Sequence, residues 1–451
     1  MNIPVSENLN KLAEACPFPL YLVGGTVRDC LAGLSSADGD YDICAPASAE
    51  SFVAAAEKCG ARICSVYKNT GTVKLSVGGE EYEYACFRSD EYVRGVHSPV
   101  KTFFTDDIML DARRRDFKCN AVYFNLKTGE TEDPLGGAED IKHKRITTVA
   151  DADKVFGEDG LRLMRLARQA AQTGFTPDGQ TLDGALKNAR LICDVSAERI
   201  YTEFNYILMA DLRYGIEHAQ YAGLKILDET GVVDLLFPEI TAGRGMAQNA
   251  AFHNHDVYEH TLRAVKYADP TVRLAAFLHD AGKPQCMREN GNYINHEEYS
   301  ARIARDICTR LKVPKKTSAE TVTLCALHMY DMRCDARESK IRRFIVRNLS
   351  VFDKLLLLKQ ADYSACRDDS GAAPCVEKWR GIYNAMSDEG APLNLKQLKV
   401  RGDELIAAGV PAPQAGAILN ALLEECALNP ELNVKEKLVR CALSLCAQGK
   451  Y

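Results

Sequence analysis

The first 150 residues carry two apolar rhythms. FPLYLVGG (18–25) is a short apolar run stopped by two glycines, which predicts a buried strand. VRDCLAGL (27–34) spaces its apolar residues for a helix. DYDICAP (40–46) predicts a second strand, ended by Pro46. SAESFVAAAEKCG (48–60) predicts a helix with a serine cap and a terminal glycine. GTVKLSVGGEEYEYACF (71–87) alternates on both sides of Gly-Gly and predicts a β-hairpin. FKCNAVYFNLKTGETEDPLGG (117–137) predicts another. Beyond residue 150 the period becomes helical, in EDGLRLMRLARQAAQTGF, SAERIYTEFNYILM, TVRLAAFLHDAG and PQAGAILNALLEECA. The chain therefore reads as a small α+β head followed by an all-α remainder. Composition breaks at 241–252 (TAGRGMAQNAAF) and 366–375 (CRDDSGAAPC) suggest boundaries.

At 451 residues the chain is long enough for several domains. Its net charge of −6 argues against a generally basic nucleic-acid coat but leaves room for a local basic groove. The 17 cysteines are scattered, with no C-x-x-C pair, and predict reduced thiols rather than a disulfide framework. No apolar stretch reaches the roughly 20 residues of a membrane span, and the N-terminus lacks the pattern of a secretory signal. A cytoplasmic protein with no membrane partner is the expectation.

The acidic strand changes the picture. Residues i and i+2 of a strand share a face, so Asp40 and Asp42 project together. Two carboxylates so close call for a cation, and Mg²⁺ suits oxygen ligands. A calcium loop would need a glycine where Ile43 stands. Upstream, Gly24 and Gly25 join a strand to a helix, where bare backbone amides meet phosphate closely. Arg28 follows one turn on. A Gly-Gly turn, an arginine and a D-x-D strand in succession describe a site for a nucleotide and Mg²⁺.

With RRRDF (113–117), DPLGGAEDI (133–141), EDGLRLMRLAR (158–168) and SAERIYTEF (196–204), these motifs resemble the class II tRNA nucleotidyltransferase and poly(A) polymerase family. The resemblance implies a polymerase-β-like head, a mixed sheet with helices, at 1–146, and a nucleotide-selecting helical neck at 147–245. It implies that Asp40 and Asp42 hold Mg²⁺ and that Gly24, Gly25 and Arg28 bind the incoming nucleotide. Arg114, Arg115 and Asp116 would contact phosphate and ribose. A third acid would be Asp111 or Asp116. Asp159 and Arg162, three apart and therefore on one face if helical, would present a protein template to cytosine and adenine. Arg165 and Arg168 would extend that face to phosphates. Taken alone, EDGLR reads first as an exposed, salt-bridged helix surface; the motifs upstream of it turn the reading. The stretch 87–103, FRSDEYVRGVHSPVKTF, departs from the family pattern, with Arg94 and Val96 where an acid and an arginine are expected.

Six of the nine histidines fall between 253 and 328. His260, the pair His279-Asp280, and Asp362 resemble the H…HD…D pattern of HD phosphohydrolases. That resemblance implies a divalent metal in a domain at 246–365, with His296 and His328 as further ligands; it assigns no role to His253 or His255. The tail, 366–451, resembles the RNA-binding end of CCA-adding enzymes, with Lys396, Lys399 and Arg401 near Gly402, Gly409 and Gly416. The implied function is addition of C, C and A to tRNA from CTP and ATP, with tRNA as partner and no DNA. Alternatives are a CC-adding, A-adding or poly(A)-forming specialist, or a phosphohydrolase with a non-catalytic head.

Overall fold

The computed structural model describes residues 3, 5–34, 41–94, 96, 99–251 and 253–447. Asp40 and Gly95 lie outside them. The chain divides into two compact units, Met1–Thr241 with Arg310–Val313, and Ala242–Thr309 with Pro314–Tyr451.

The first unit is built on a seven-stranded sheet in the order β3-β4-β5-β2-β1-β8-β9. The strands are β1 (Tyr21–Leu22), β2 (Tyr41–Ala45), β3 (Arg62–Tyr67), β4 (Thr72–Val77), β5 (Glu80–Cys86), β6 (Arg88–Glu91), β7 (Lys101–Phe104), β8 (Tyr123–Asn125) and β9 (Thr131–Glu132). β2 pairs with β5 in parallel and with β1 antiparallel, so it is hydrogen-bonded on both sides. Ile43, Cys44 and Ala45 are buried in succession, which requires cover on both faces of the sheet. The helix Ala49–Lys58 supplies some of that cover: Phe52 stacks on Tyr84 with ring centroids 3.7 Å apart.

The β4–β5 turn is Gly78-Gly79, with φ of 58° and 90°, the positive angles a two-residue hairpin needs. The predicted hairpin at 117–137 is β8–β9. Two features were not anticipated. β3 adds an edge strand, and the segment expected as a loop at 87–103 contains the antiparallel pair β6–β7. Asp90 supports that pair by accepting from Thr102 Oγ1 at 2.9 Å and Arg88 Nε at 3.1 Å.

The EDGLR segment is not one continuous helix. The helix Ala152–Glu158 ends at Asp159, which is extended (φ −146°, ψ 109°), and a new helix runs Leu161–Thr173. Asp159 and Arg162 therefore do not share a helical face. Asp159 instead stands ahead of the second helix, its Oδ1 accepting from Leu161 N at 3.0 Å, as an acid at a helix start does.

The second unit is helical. Trp379, fully buried, packs against Phe344, Phe352 and Tyr330, and its Nε1 donates to Asp331 Oδ2 at 2.9 Å. No disulfide occurs among the described residues; all 17 cysteines are free. No helix of the described residues is long and apolar enough to cross a membrane.

Candidate active site and metal centre

The head site is set by one close approach. Gly24 has φ of 79°, and a Cβ placed there would lie 3.0 Å from Asp42 Oδ2. Only glycine lets the β1–helix turn sit so near that carboxylate. Val23 N donates to Asp42 O at 3.1 Å, and the helix Gly25–Ala32 begins at the next glycine. Asp42 itself is exposed at the second position of the central strand. A solvent-exposed carboxylate on a rigid strand beside a helix start suits a hard cation and a phosphate chain.

Behind this edge lies a buried polar network. Arg28 donates to Asp29 Oδ1 (2.7 and 2.9 Å), Asn120 Oδ1 (2.9 Å) and Gln169 Oε1 (3.3 Å). Asn120 and Gln169 bond each other at 2.8 Å, and both donate to Asp116. Asp116 also pairs with Arg165 at 2.6 Å. Burial works to raise the Asp116 carboxyl, but Arg165 and the Asn120 amide outweigh it and hold the group well below the usual carboxylate range. Arg28, Asp116 and Arg165 are thus brought together, through two amides that carried no sequence signal. Tyr214 closes the network by donating to Asp29.

Asp111 is fully buried and accepts from Arg114 Nε (2.7 Å), Arg115 Nη2 (3.1 Å) and Tyr123 Oη (2.7 Å). Burial pushes its carboxyl up, yet the two guanidinium groups bring it down to about 2. Asp111 and Asp116 both face arginines. Arg168 pairs with Glu203 at 3.0 Å. Arg162 is buried and donates to Val155 O (2.8 Å), Glu158 Oε2 (2.8 Å) and Arg114 O (2.7 Å). Tyr92 lies 5.7 Å from its guanidinium. Asp159 Oδ2 accepts from Arg199 at 3.1 Å, a partner the sequence reading missed. Arg94 reaches Asn188 Oδ1 at 2.6 Å.

The second unit gathers its histidines at one place. His260 comes from the helix Val257–Tyr267, and His279-Asp280 follows the helix Arg273–Leu278. His296 opens His296–Arg310, His328 follows Lys315–Leu327, and Asp362 lies in Leu349–Arg367. His260 Nε2 is 3.1 Å from Asp362 and 3.4 Å from Asp280; His279 Nε2 is 3.3 Å from Asp280. His296 Nε2 is 3.0 Å from Asp280, and His328 Nε2 is 3.7 Å from it. The Nδ1 atoms of His279, His296 and His328 each lie 2.8 Å from a backbone carbonyl, of Ala276, Tyr293 and Cys325. A carbonyl accepts only, so Nδ1 carries the proton and Nε2 turns a lone pair inward. His279 Nε2 is buried without a hydrogen-bond partner, and Asp280 Oδ2 pairs with Lys283 Nζ at 2.6 Å. Two groups, His260–His279–Asp362 and Asp280–His296–His328, each bring three ligand atoms within 4.8 Å of one another. Nitrogen and carboxylate donors so arranged fit divalent metal ions.

Three segments match known families: residues 20–147 the poly A polymerase head domain, 174–243 the probable RNA and SrmB-binding site of polymerase A, and 257–355 the HD domain. Among curated relatives, an A-adding tRNA nucleotidyltransferase of Deinococcus radiodurans is 30% identical over 91% of this chain and 93% of its own length. The chain belongs to the tRNA nucleotidyltransferase family. A multifunctional CCA protein of Acinetobacter baumannii is 31% identical, over 69% of this chain and 74% of the relative. The Bacillus stearothermophilus CCA-adding enzyme, solved in complex with CTP, shares the fold with a TM-score of 0.69 at 23% identity, over 99% of both chains. The Thermotoga maritima CCA-adding enzyme complexed with tRNA has a TM-score of 0.57 at 17% identity, over 97% of this chain and 93% of that one. As a tRNA nucleotidyltransferase, the chain has the head, the RNA-binding segment and the HD domain in family order.

Proposed function

We propose that this nucleotidyltransferase adds C, C and A to the 3′ end of tRNA from CTP and ATP without a nucleic-acid template. The observation that carries the reading is the approach of Gly24 to Asp42. A triphosphate lying on the amides of Gly24 and Gly25 has its phosphates beside that carboxylate. Asp42, with Asp40 before it, would hold Mg²⁺, since its donors are carboxylate oxygens. When bound, the metal would acidify the primer hydroxyl and offset charge on the leaving pyrophosphate.

The chain's own residues do the rest. Arg114 and Arg115 are clamped by Asp111, and Arg165 by Asp116, so their guanidinium planes are fixed before a ligand arrives. These arginines, with Arg28 and Arg168, are the proposed phosphate and ribose contacts. Arg162 has three of its five N–H donors engaged with Val155, Glu158 and Arg114, leaving two for a base. Asp159 would accept from the exocyclic amine that cytosine and adenine share.

The proposed division is a head at 1–146, a neck at 147–245, an HD domain at 246–365 and a tRNA-supporting tail at 366–451. In the HD domain, His260, His279, Asp280 and Asp362, with His296 and His328, would hold a divalent metal for hydrolysis of phosphorylated RNA ends. A second reading is addition of the terminal A alone. The A-adding relative, similar across 91% of this chain, favours it.

The test uses tRNA ending before CCA, or after CC, with CTP and ATP singly and together. Addition of C, C and A followed by arrest supports the first reading. Extension of only the CC-ended tRNA supports the second. Incorporation by Asp42→Ala at the wild-type rate would refute the metal assignment. Release of phosphate from 3′-phosphorylated RNA that persists in Asp280→Ala would refute the HD assignment.

A further inference from the structure

The HD ligand pattern leaves His253 and Cys366 without a role, yet the fold brings them together at its edge. Cys366 lies four residues beyond Asp362 on the helix Leu349–Arg367, so it projects from the same face one turn further on. Its Sγ is 3.3 Å from His253 Nδ1. The His253 ring stands edge-on to His260, 5.0 Å between centroids. Ligand atoms of His253, His260 and Cys366 all lie within 4.8 Å of one another. His260 is 1% exposed, and its buried Nδ1 has no hydrogen-bond partner, while its Nε2 lies 3.1 Å from Asp362. His260 thus belongs to both three-ligand groups, and its ring serves both only by giving up its N–H proton.

We propose that His253, His260 and Cys366 form a separate site for one thiophilic divalent cation of the zinc class, beside the HD centre and joined to it through His260. The donor chemistry decides the class. The HD groups offer imidazole and carboxylate only, whereas this group has a thiol with two imidazoles, a set that selects soft and borderline cations. Bond lengths to zinc of about 2.3 Å from sulfur and about 2.1 Å from nitrogen put tetrahedral S and N ligands roughly 3.6 Å apart. The observed 3.3 Å needs little adjustment.

The scaffold holds the three ligands in place. Asp368, two residues past Cys366, accepts from Lys266 Nζ at 3.0 Å and Tyr267 Oη at 2.6 Å and pairs with Arg263, all on the helix that carries His260. His253 N donates to Asn249 O at 3.0 Å, closing the turn that presents its ring.

Burial pushes the Cys366 thiol up to about 12 and the His253 imidazole down to about 4. Without a cation, Cys366 Sγ and His253 Nδ1 share one proton in a hydrogen bond. Binding replaces that proton: a sulfur–metal bond and two nitrogen–metal bonds form, the S–H bond breaks, and its proton leaves to solvent; when the HD centre also holds an ion on His260, the ring's N–H bond breaks as well and a second proton leaves. The fourth position is open to water.

The proposal goes beyond the phosphohydrolase reading and shares only His260 with it. The test strips the full-length reduced protein of metal and titrates it with Cd²⁺, following the thiolate-to-cadmium absorption band. No other cysteine of the described residues belongs to a three-ligand group. One equivalent of the band is expected in the wild type, lost in both Cys366→Ser and His253→Asn and retained in His279→Ala, which removes an HD ligand. Nucleotide addition to tRNA by Cys366→Ser and His253→Asn is expected to equal wild type, which verifies their folding. Absence of the band from the wild type, its persistence in either variant, or its loss in His279→Ala would overturn the separate site.

Discussion

His296 and His328 face each other nitrogen to nitrogen, their Nε2 atoms 3.3 Å apart, with both Nδ1 atoms held by backbone carbonyls. Two inward lone pairs at that distance repel unless a cation or a proton lies between them. A bound divalent ion therefore stabilises the second unit. Chelation is expected to lower its melting temperature, and metal at a hundredfold excess over Kd to restore about 2.7 kcal/mol. Calorimetry with and without chelator checks this. An unchanged transition would mean that the cluster is not a metal site.

Gly24→Ala puts a methyl group 3.0 Å from Asp42 Oδ2 at a φ of 79°. The backbone strain costs about 1–3 kcal/mol. The larger effect is on chemistry, because the carboxylate has to move: a loss of roughly 100-fold in nucleotide addition is expected. Single-turnover kinetics beside a denaturation curve separates the two effects. Near-normal addition would show that Asp42 tolerates displacement.

Asp111 balances two buried guanidinium groups. Asp111→Asn leaves them uncompensated and is expected to cost about 3–5 kcal/mol. The pH dependence has a definite sign. The folded carboxyl sits at about 2, below its unfolded value of about 3.9. Its contribution is thus complete above about pH 5 and lost as pH falls through about 2. Denaturant melts between those limits should show a shallower loss of stability in the variant. Identical slopes would remove Asp111 from the acid response.

Asp159 accepts from Arg199 and from Leu161 N, just ahead of the helix that carries Arg162. Asp159→Ala is expected to cost about 1 kcal/mol through the lost hydrogen bonds. It is also expected to reduce discrimination between CTP and UTP. Competition assays with both nucleotides check the second effect. A retained preference for CTP with the lost stability would leave Asp159 with a structural role alone.

The local signals were readable. Gly78-Gly79 between alternating runs named its hairpin because only positive φ closes a two-residue turn. The glycines at 24 and 25 announced a strand-to-helix turn for the same kind of reason. What escaped reading was what depends on distant partners. Arg28 meets Asn120, Gln169 and, through Asp29, Tyr214, from 92 to 185 residues along the chain. No periodicity records such a meeting. Asp159 escaped for another reason: an acid followed by glycine between two helices looks helical by period while its backbone is extended. β6–β7 escaped because β6 is polar and the two phenylalanines of β7, Phe103 and Phe104, are exposed, so the pair leans on Asp90 rather than on a buried apolar face.

The three imidazoles tied to carbonyls share one construction. His279, His296 and His328 each lean on the residue three positions earlier, Ala276, Tyr293 and Cys325. The aim of each ring is therefore inherited from a single turn of its own backbone and owes nothing to the side chain three places back. Sequence drift across the bundle can alter its packing while these rings keep their bearing. One inserted residue inside any of the three turns would swing a ring away and disable the cluster at a stroke.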